Sequence, residues 1–171
     1  TFLEGWNIYD IDKTLSTKWL IQAWEFVDFV TDCESFCSLK TQYPFISDAQ
    51  TLEGFLYPDT YAVNPHSFTI ESLVKKMLGN FQVKVIDSGI LANMESSEIL
   101  DTLNMASIVQ KEANKRDNPE EIALIAGILK KRLTEGWQIG ADATVCYAHR
   151  IATEDCTPNE VLEYLYDKNE Y

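Results

Sequence analysis

Residues 104–113, Asn-Met-Ala-Ser-Ile-Val-Gln-Lys-Glu-Ala, are the most informative stretch of this 171-residue chain. Met105, Ile108 and Val109 recur at the three- and four-residue spacing of one helix face, and Glu112 takes the next position on that face. The spacing therefore predicts a helix that carries a carboxyl group within its apolar stripe. Burial of a carboxyl group disfavours its anion, because water no longer solvates the charge.

A carboxylic acid that stays protonated near neutral pH can give its proton to the oxygen that leaves when a glycosidic bond breaks. This chemistry makes Glu112 a candidate general acid. The alternative is a solvated glutamate at a helix end, paired with Lys111 or Arg116, since charged residues avoid burial unless they are paired.

The segment Ala106–Ala113 resembles the signature helix of the YceG-like family, the endolytic murein transglycosylases. Leu52–Tyr61, Leu-Glu-Gly-Phe-Leu-Tyr-Pro-Asp-Thr-Tyr, is similar to the family's L-E-G-[YF]-L-F-P-D-T-Y block. Two more blocks occur in the family's order. One is Leu3–Trp6, near the start of the chain, and the other comprises Ala126–Leu133, Gly136 and Asp142–Tyr147. The chain departs from the family pattern at Gln110, Lys131 and Ala143. Gln110 and Lys131 affect the detail of the cleft and not the reaction class, whereas Ala143 loses only the preset helix start that proline gives.

The resemblance implies a lyase of bacterial cell wall biogenesis, a peptidoglycan lytic transglycosylase. Such an enzyme cleaves the β-1,4 bond between N-acetylmuramic acid and N-acetylglucosamine inside glycan strands and leaves 1,6-anhydro ends. Glu112 would act first as acid and then as base towards the C6 hydroxyl, an intramolecular nucleophile that needs no second carboxylate. The alternatives are a non-catalytic glycan-binding or scaffold module, or a hydrolytic muramidase that uses Glu112 with Glu53 or Asp59.

The candidate substrate-binding residues lie in the same blocks. They are Glu53, Tyr57, Asp59, Tyr61, Gln110, Arg132, Asp142 and Thr144. By the resemblance, the Glu53–Tyr61 block faces Glu112 across an open groove that admits a continuous strand. Structural roles stay open for several of them: Asp59 can cap a turn after Pro58, Asp142 and Thr144 can start a helix, and Arg132 can form a surface ion pair.

Composition limits the classes of partner. A net charge of −13 argues against nucleic acid and against anionic lipid surfaces, whereas a neutral glycan is compatible with it. The two histidines lack metal-ligand spacing, and no nucleotide-binding fingerprint is present, so neither a metal nor a cofactor is expected. No run approaches the roughly 20 apolar residues of a membrane helix.

The predicted organisation is one catalytic domain over residues 1–171. The resemblance implies that the N-terminal membrane anchor, a LysM-like region and the C-terminal end of the family lie outside this chain. It further implies a location at the cell membrane, with the domain on the extracytoplasmic side, and proteins of cell-wall synthesis as partners. Membrane contact would run only through the absent anchor.

The predicted fold class is α+β, a helix-rich domain with a few short strands. Strands are expected over residues 1–10 and 83–86. Helices are expected to start at Ser16 or Thr17, Thr69, Ser96 or Ser97, Asn118, Asp142 and Thr157.

The chain has four cysteines, Cys33, Cys37, Cys146 and Cys156. Buried free thiols are the favoured interpretation, because free cysteine is among the most buried residue types. A Cys146–Cys156 disulfide is allowed outside the cytoplasm but not indicated.

Overall fold

The computed structural model describes residues 1–113 and 118–166. All regular structure within those ranges is helical, so the α+β prediction is wrong. The α-helices are α1 (Ile8–Thr17), α2 (Glu25–Thr31), α3 (Cys33–Phe36), α4 (Ile70–Phe81), α5 (Ser96–Glu112), α6 (Pro119–Thr134), α7 (Asp142–Ala148) and α8 (Pro158–Tyr166). Shorter 3₁₀ turns span Cys37–Thr41, Pro44–Ile46, Pro65–Ser67 and Thr153–Asp155, and a π-helical turn over Gln82–Ile86 extends α4.

Neither predicted strand forms: residues 1–7 lie outside any regular element, α1 begins at Ile8, and residues 83–86 are helical. At residues 1–10, Asn7 caps α1: its Oδ1 accepts hydrogen bonds from the N–H groups of Tyr9 and Asp10, and Asp10 Oδ2 accepts one from the Asn7 N–H. At residues 83–86, the β-branched residues continue α4 as the π-helical turn. Strand propensity is context-dependent, and these short runs have no partner strand among the described residues.

The helix predicted from Ser16 or Thr17 does not form, because that segment is the end of α1. The chain then turns through Trp19 and Trp24, both with positive φ, before α2 begins. The buried Asp12 carboxylate fixes this turn by accepting hydrogen bonds from the N–H groups of Trp24 (2.8 Å) and Phe26 (3.0 Å). A carboxylate twelve residues upstream thus replaces the local cap that the sequence pattern suggests.

Helix starts that carry their own capping side chain are predicted correctly. Thr69 and Asn118 each accept the backbone N–H three residues ahead, at the starts of α4 and α6. Thr157 opens α8 with a capping box, and α5 begins at Ser96. Asp142 is not a cap, because Ala141 holds the N-cap position and Asp142 is the first residue of α7.

Two compact units divide the chain, Thr1–Asp101 and Thr102–Tyr171. The first unit has an aromatic core in which the Phe45 and Phe81 rings stack at 5.2 Å and Phe55 lies 5.7 Å from Phe81. Phe55, inside the Leu52–Tyr61 block, is fully buried. That block is therefore anchored to the core by its own aromatic residue. Fully buried neighbours in this unit include Ile8, Phe26, Phe36, Ile46, Leu52, Leu73, Met77 and Leu78.

The cysteines are paired, so the expectation of free thiols is wrong. Disulfides join Cys33 to Cys37 in the first unit and Cys146 to Cys156 in the second. The Cα–Cα distances of 4.8 and 5.8 Å lie within the range that a disulfide bridges. Because disulfides persist in oxidising compartments, this pairing fits a protein outside the cytoplasm.

In the second unit, Val109 and Leu129 are buried from α5 and α6, and Cys146 and Val161 from α7 and α8. No helix within the described ranges has both the length and the apolar character needed to cross a bilayer.

Candidate functional site

A polar and aromatic cluster lies in the first unit at the end of the Leu52–Tyr61 block. The Tyr61 hydroxyl donates to the Tyr57 carbonyl oxygen (2.7 Å) and accepts from Asn80 Nδ2 (3.1 Å). The same Asn80 amide donates to Asp59 Oδ2 (3.3 Å). Lys84 Nζ lies 3.5 Å from Asp59 Oδ2 and 5.2 Å from the centroid of the Tyr57 ring. Tyr57, Asp59, Tyr61, Asn80 and Lys84 are called the tyrosine cluster below.

Two separate segments hold the tyrosine cluster in place. Asn80 lies in the last turn of α4 and Lys84 in the π-helical turn that follows, a type of turn found frequently at functional sites. On the other side, the Phe2 N–H donates to the Asp59 carbonyl oxygen (3.0 Å), and the Phe2 ring lies 6.1 Å from the Tyr61 ring. Residues 57–61 are thereby held by Phe2 on one side and by Asn80 and Lys84 on the other.

The charges in the tyrosine cluster are set by its hydrogen bonds. The Thr60 backbone N–H, 2.7 Å from Asp59 Oδ1, lowers the pKa of Asp59, and Lys84 lowers it further. Partial burial raises the pKa of Tyr61 to about 12, the Asn80 hydrogen bond opposes this shift, and the negative charge of Asp59 adds to it. The cluster thus brings the Asp59 carboxylate, the Asn80 amide and the Lys84 side chain together with two phenol rings. Such groups, beside aromatic faces, can bind the hydroxyls and the apolar faces of a sugar.

Glu53 has a structural role that the sequence analysis did not identify. Its Oε2 accepts a hydrogen bond from the Ile8 N–H (3.0 Å), the first residue of α1, and its Oε1 accepts one from the Gly54 N–H (3.3 Å). A carboxylate at a helix N-terminus satisfies an otherwise unpaired donor and interacts favourably with the helix dipole. Glu53 thus ties the Leu52–Tyr61 block to the start of α1, and whether it also contacts substrate stays a prediction.

Glu112 lies in the second unit as the last residue of α5, and its side chain is exposed. The expectation of burial is therefore wrong: the apolar stripe reaches Val109, which is buried, and ends there. Neighbouring Lys111 donates from Nζ to Thr153 Oγ1 (3.1 Å), which holds the last turn of α5 against the Thr153–Asp155 turn. The alternative partner Arg116 lies outside the described residues.

The other candidates of the second unit lie mainly around the connection between α6 and α7. The half-buried Arg132 donates from Nη1 to the Ile139 carbonyl oxygen. Thr144 Oγ1 donates to the Ala141 carbonyl oxygen (2.6 Å). Gly140 adopts a φ of 64°, and a Cβ there would lie 3.3 Å from Arg132 Nη1. Arg132 and Thr144 thus fix the loop that leads to the exposed Asp142, while Gln110 is half-buried on α5.

The structure brings Tyr57, Asp59 and Tyr61 together and adds Asn80 and Lys84, which the sequence analysis missed. The missed signal was the continuation of the α4 pattern, since positions 80 and 84 are four residues apart on one helical face. Assigning residues 83–86 to a strand concealed it. No group of three His, Cys, Asp or Glu side chains that could hold a metal occurs within residues 1–113 and 118–166.

Comparison with known proteins gives a consistent family relationship. The model of the YceG-like family matches residues 1–170. The chain is 26% identical over 162 residues to an endolytic murein transglycosylase of Streptococcus pneumoniae serotype 2 (strain D39), covering 86% of this chain and 29% of the relative. It is 32% identical over 99 residues to an endolytic murein transglycosylase of Bacillus subtilis (strain 168), covering 57% of this chain and 26% of the relative. The chain thus spans less than a third of each relative's length. No solved structure matches.

The capping role of Glu53 can be separated from a role in substrate binding. We expect Glu53→Ala to lower the free energy of unfolding by about 1–2 kcal/mol, because the Ile8 N–H loses its acceptor. Urea denaturation followed by circular dichroism measures this change. Glu4→Ala, at an exposed position of the same unit, is the control and should stay within about 0.5 kcal/mol. Equal unfolding midpoints for the two variants would contradict the capping role.

The Tyr61 hydroxyl is expected to contribute to stability in a pH-dependent way. Its pKa is raised from 10.0 to about 12, so the stability it supplies is complete below pH 10 and is lost as pH rises through about 12. Tyr61→Phe should destabilise the chain by about 1–2 kcal/mol at neutral pH and should lessen the decline in stability across that alkaline window. Denaturation at a series of pH values measures the free energy of unfolding across this range. Tyr57→Phe is the control, because it removes a hydroxyl from the same cluster but keeps the ring beside Lys84. An unchanged alkaline profile in Tyr61→Phe would contradict the assignment.

Proposed function

The chain belongs to the YceG-like family, and from this we propose that it forms the part of a peptidoglycan lytic transglycosylase that acts on the glycan strand. The family match over residues 1–170 is the observation that carries the proposal. The relatives that support it are named endolytic murein transglycosylases. The proposed reaction is cleavage of the β-1,4 bond between N-acetylmuramic acid and N-acetylglucosamine within a strand.

Glu112 is the proposed catalytic residue. Its exposed position at the end of α5 leaves the carboxyl group accessible to a polymer that could not enter a closed pocket. The protonated carboxyl gives its proton to the glycosidic oxygen as the bond from that oxygen to muramic C1 breaks. The resulting carboxylate then takes the proton of the C6 hydroxyl as O6 bonds to C1. The product carries a 1,6-anhydro ring, the proton returns to Glu112, and no water is consumed.

Since Glu112 is exposed among the residues that the structure describes, the bound glycan would have to exclude water from the carboxyl group. The Lys111–Thr153 hydrogen bond supports this arrangement, because it immobilises the helix turn that carries the acid. The C6 hydroxyl belongs to the same sugar as C1, and this connection supplies the proximity on which an intramolecular attack depends.

We propose the tyrosine cluster as a glycan-binding surface of the first unit. Its aromatic rings offer contact area to sugar faces, and Asp59, Asn80 and Lys84 offer an acceptor and donors to hydroxyl groups. In the second unit, the residues proposed to contact the glycan are Gln110, Arg132, Asp142 and Thr144. Glu53 remains a proposed contact that would act in addition to its capping role.

The names of the relatives favour a transglycosylase over a hydrolytic muramidase. A hydrolase needs a second carboxylate to activate water or to attack carbon. The candidates for that role were Glu53 and Asp59. Both oxygens of Glu53 accept backbone hydrogen bonds, and Asp59 is bound by the Thr60 N–H, Asn80 and Lys84. Both carboxylates thus have structural partners within the first unit, and an intramolecular hydroxyl nucleophile requires neither of them.

We further propose that the parent protein is anchored in the cell membrane, with this region on the extracytoplasmic side, and that it works with proteins of cell-wall synthesis. The disulfides and the acidic surface are compatible with that setting.

Replacing the proposed acid tests the reaction directly. Glu112→Gln removes the proton donor but keeps the shape of the side chain, so cleavage of purified glycan strands should fall by about a hundred- to ten-thousand-fold while the fold is retained. The measurement is mass spectrometry of the digest, in which 1,6-anhydro ends are counted. Glu163→Gln, at an exposed position of α8, is the matched control and should leave the rate unchanged.

Three outcomes would contradict the proposal. A Glu112→Gln rate above about a tenth of the parent rate would show that Glu112 is not the acid. Reducing ends in place of anhydro ends would identify a muramidase. Binding of glycan by the parent chain without any cleavage would identify a non-catalytic module.

A further inference from the structure

Trp19 combines two unfavourable features. Its side chain is 93% exposed, and its backbone has a left-handed φ of 58°. An exposed indole keeps a large apolar surface in water, and the left-handed region is uncommon for any residue other than Gly, Asn or Asp. Strained backbone of this kind persists where the surrounding structure or a function maintains it.

The backbone hydrogen bonds around Trp19 show that glycine would be favoured at this position. The Leu20 N–H donates to the Leu15 carbonyl oxygen (3.1 Å), and the Trp19 N–H donates to the Ser16 carbonyl oxygen (2.9 Å). These two bonds form the Schellman motif that ends α1, and Trp19 occupies its left-handed position, where glycine is preferred. The helix end therefore does not require a tryptophan, and the exposed ring does not stabilise the core.

A second tryptophan of the same loop shares these features. Trp24 has a φ of 73°, is 48% exposed and contacts the Tyr9 ring edge-on, with centroids 6.1 Å apart. Between the two tryptophans, the large aliphatic residues Leu20 and Ile21 are half-buried, and the small Ala23 is exposed. The exposed apolar surface of residues 18–24 is therefore mainly aromatic.

This pattern distinguishes between possible ligands. Insertion into a bilayer would favour exposed aliphatic side chains beside the rings, and the net charge of −13 opposes contact with anionic lipid. A protein interface would favour a contiguous apolar patch. Rings with exposed polar neighbours such as Lys18 and Gln22 suit a pyranose, which has an apolar face and hydroxyl edges.

We propose that Trp19, together with Trp24, forms a glycan-binding site in the first unit, in which the Trp19 ring stacks on a sugar of a β-1,4-linked amino-sugar strand. The choice of an amino-sugar glycan rests on the proposed function, whereas the exposure and the backbone position of Trp19 do not. The site would hold long strands and would not take part in bond cleavage.

Substitution of Trp19 by glycine separates binding from folding. Binding of the 171-residue chain to chitohexaose, a neutral N-acetylglucosamine oligomer, is measured by calorimetry, and retention on insoluble peptidoglycan by sedimentation. Trp19→Gly should weaken binding about tenfold or more, while Tm stays equal or rises by about 2–4 °C as the left-handed position is relieved. Trp19→Tyr should keep most of the affinity. Trp137→Ala, at another exposed tryptophan, is the matched control and should bind like the parent chain.

The proposal is overturned if Trp19→Gly and the parent bind both glycans equally, if the parent binds neither, or if Trp137→Ala loses as much affinity. It is also overturned if the substitution abolishes binding to phosphatidylglycerol–phosphatidylethanolamine vesicles and leaves glycan binding intact. Cleavage is measured separately, by counting the 1,6-anhydro ends in the digest. Cleavage that does not depend on Trp19, with unchanged binding, would refute this site alone, whereas Trp19-dependent binding without anhydro ends would refute the proposed function alone.

Discussion

The hydrogen bond from the Ile8 N–H to Glu53 Oε2 joins the start of α1 to the Leu52–Tyr61 block, across 45 positions of sequence. The donors at a helix start must be satisfied, and here a distant carboxylate satisfies one of them. Asp12 does the same for the turn into α2, through the N–H groups of Trp24 and Phe26. Because these acceptors are single side chains in fixed places, they determine where the loops between the helices of the first unit run.

The tyrosine cluster follows from that constraint. Glu53 and the buried Phe55 hold the beginning of the block, and the Phe2–Asp59 backbone hydrogen bond holds its end. The intervening chain presents Tyr57 and Asp59 towards the last turn of α4 and the π-helical turn beyond it. The proposed glycan-binding surface is thus held by contacts on both sides, with Phe2 and with Asn80.

Local signals in the sequence were sufficient for some elements and not for others. Thr69, Asn118 and Thr157 were identified as helix starts because each cap acts within three residues. α1 also has a local capping box, Asn7 with Asp10, which the strand assignment of residues 1–10 overlooked. The bond from the Ile8 N–H to Glu53 and the turn into α2 through Asp12 depend on tertiary contacts, which residue spacing does not encode. Periodicity placed Glu112 on the apolar face of α5 but could not show that the buried stripe ends at Val109. The family resemblance located Tyr57, Asp59 and Tyr61, whereas Asn80 and Lys84 became evident only from the path of α4.

In the proposed reaction Glu112 directs the C6 hydroxyl of the sugar, and not water, onto the anomeric carbon. Digestion of glycan strands in ¹⁸O-labelled water distinguishes the two nucleophiles, because they differ in the source of one oxygen atom. We expect the newly formed muramic ends to carry a 1,6-anhydro ring and no ¹⁸O when mass spectrometry is applied immediately after cleavage. One ¹⁸O atom in each new muramic end would show that water is the nucleophile and that Glu112 serves a hydrolase.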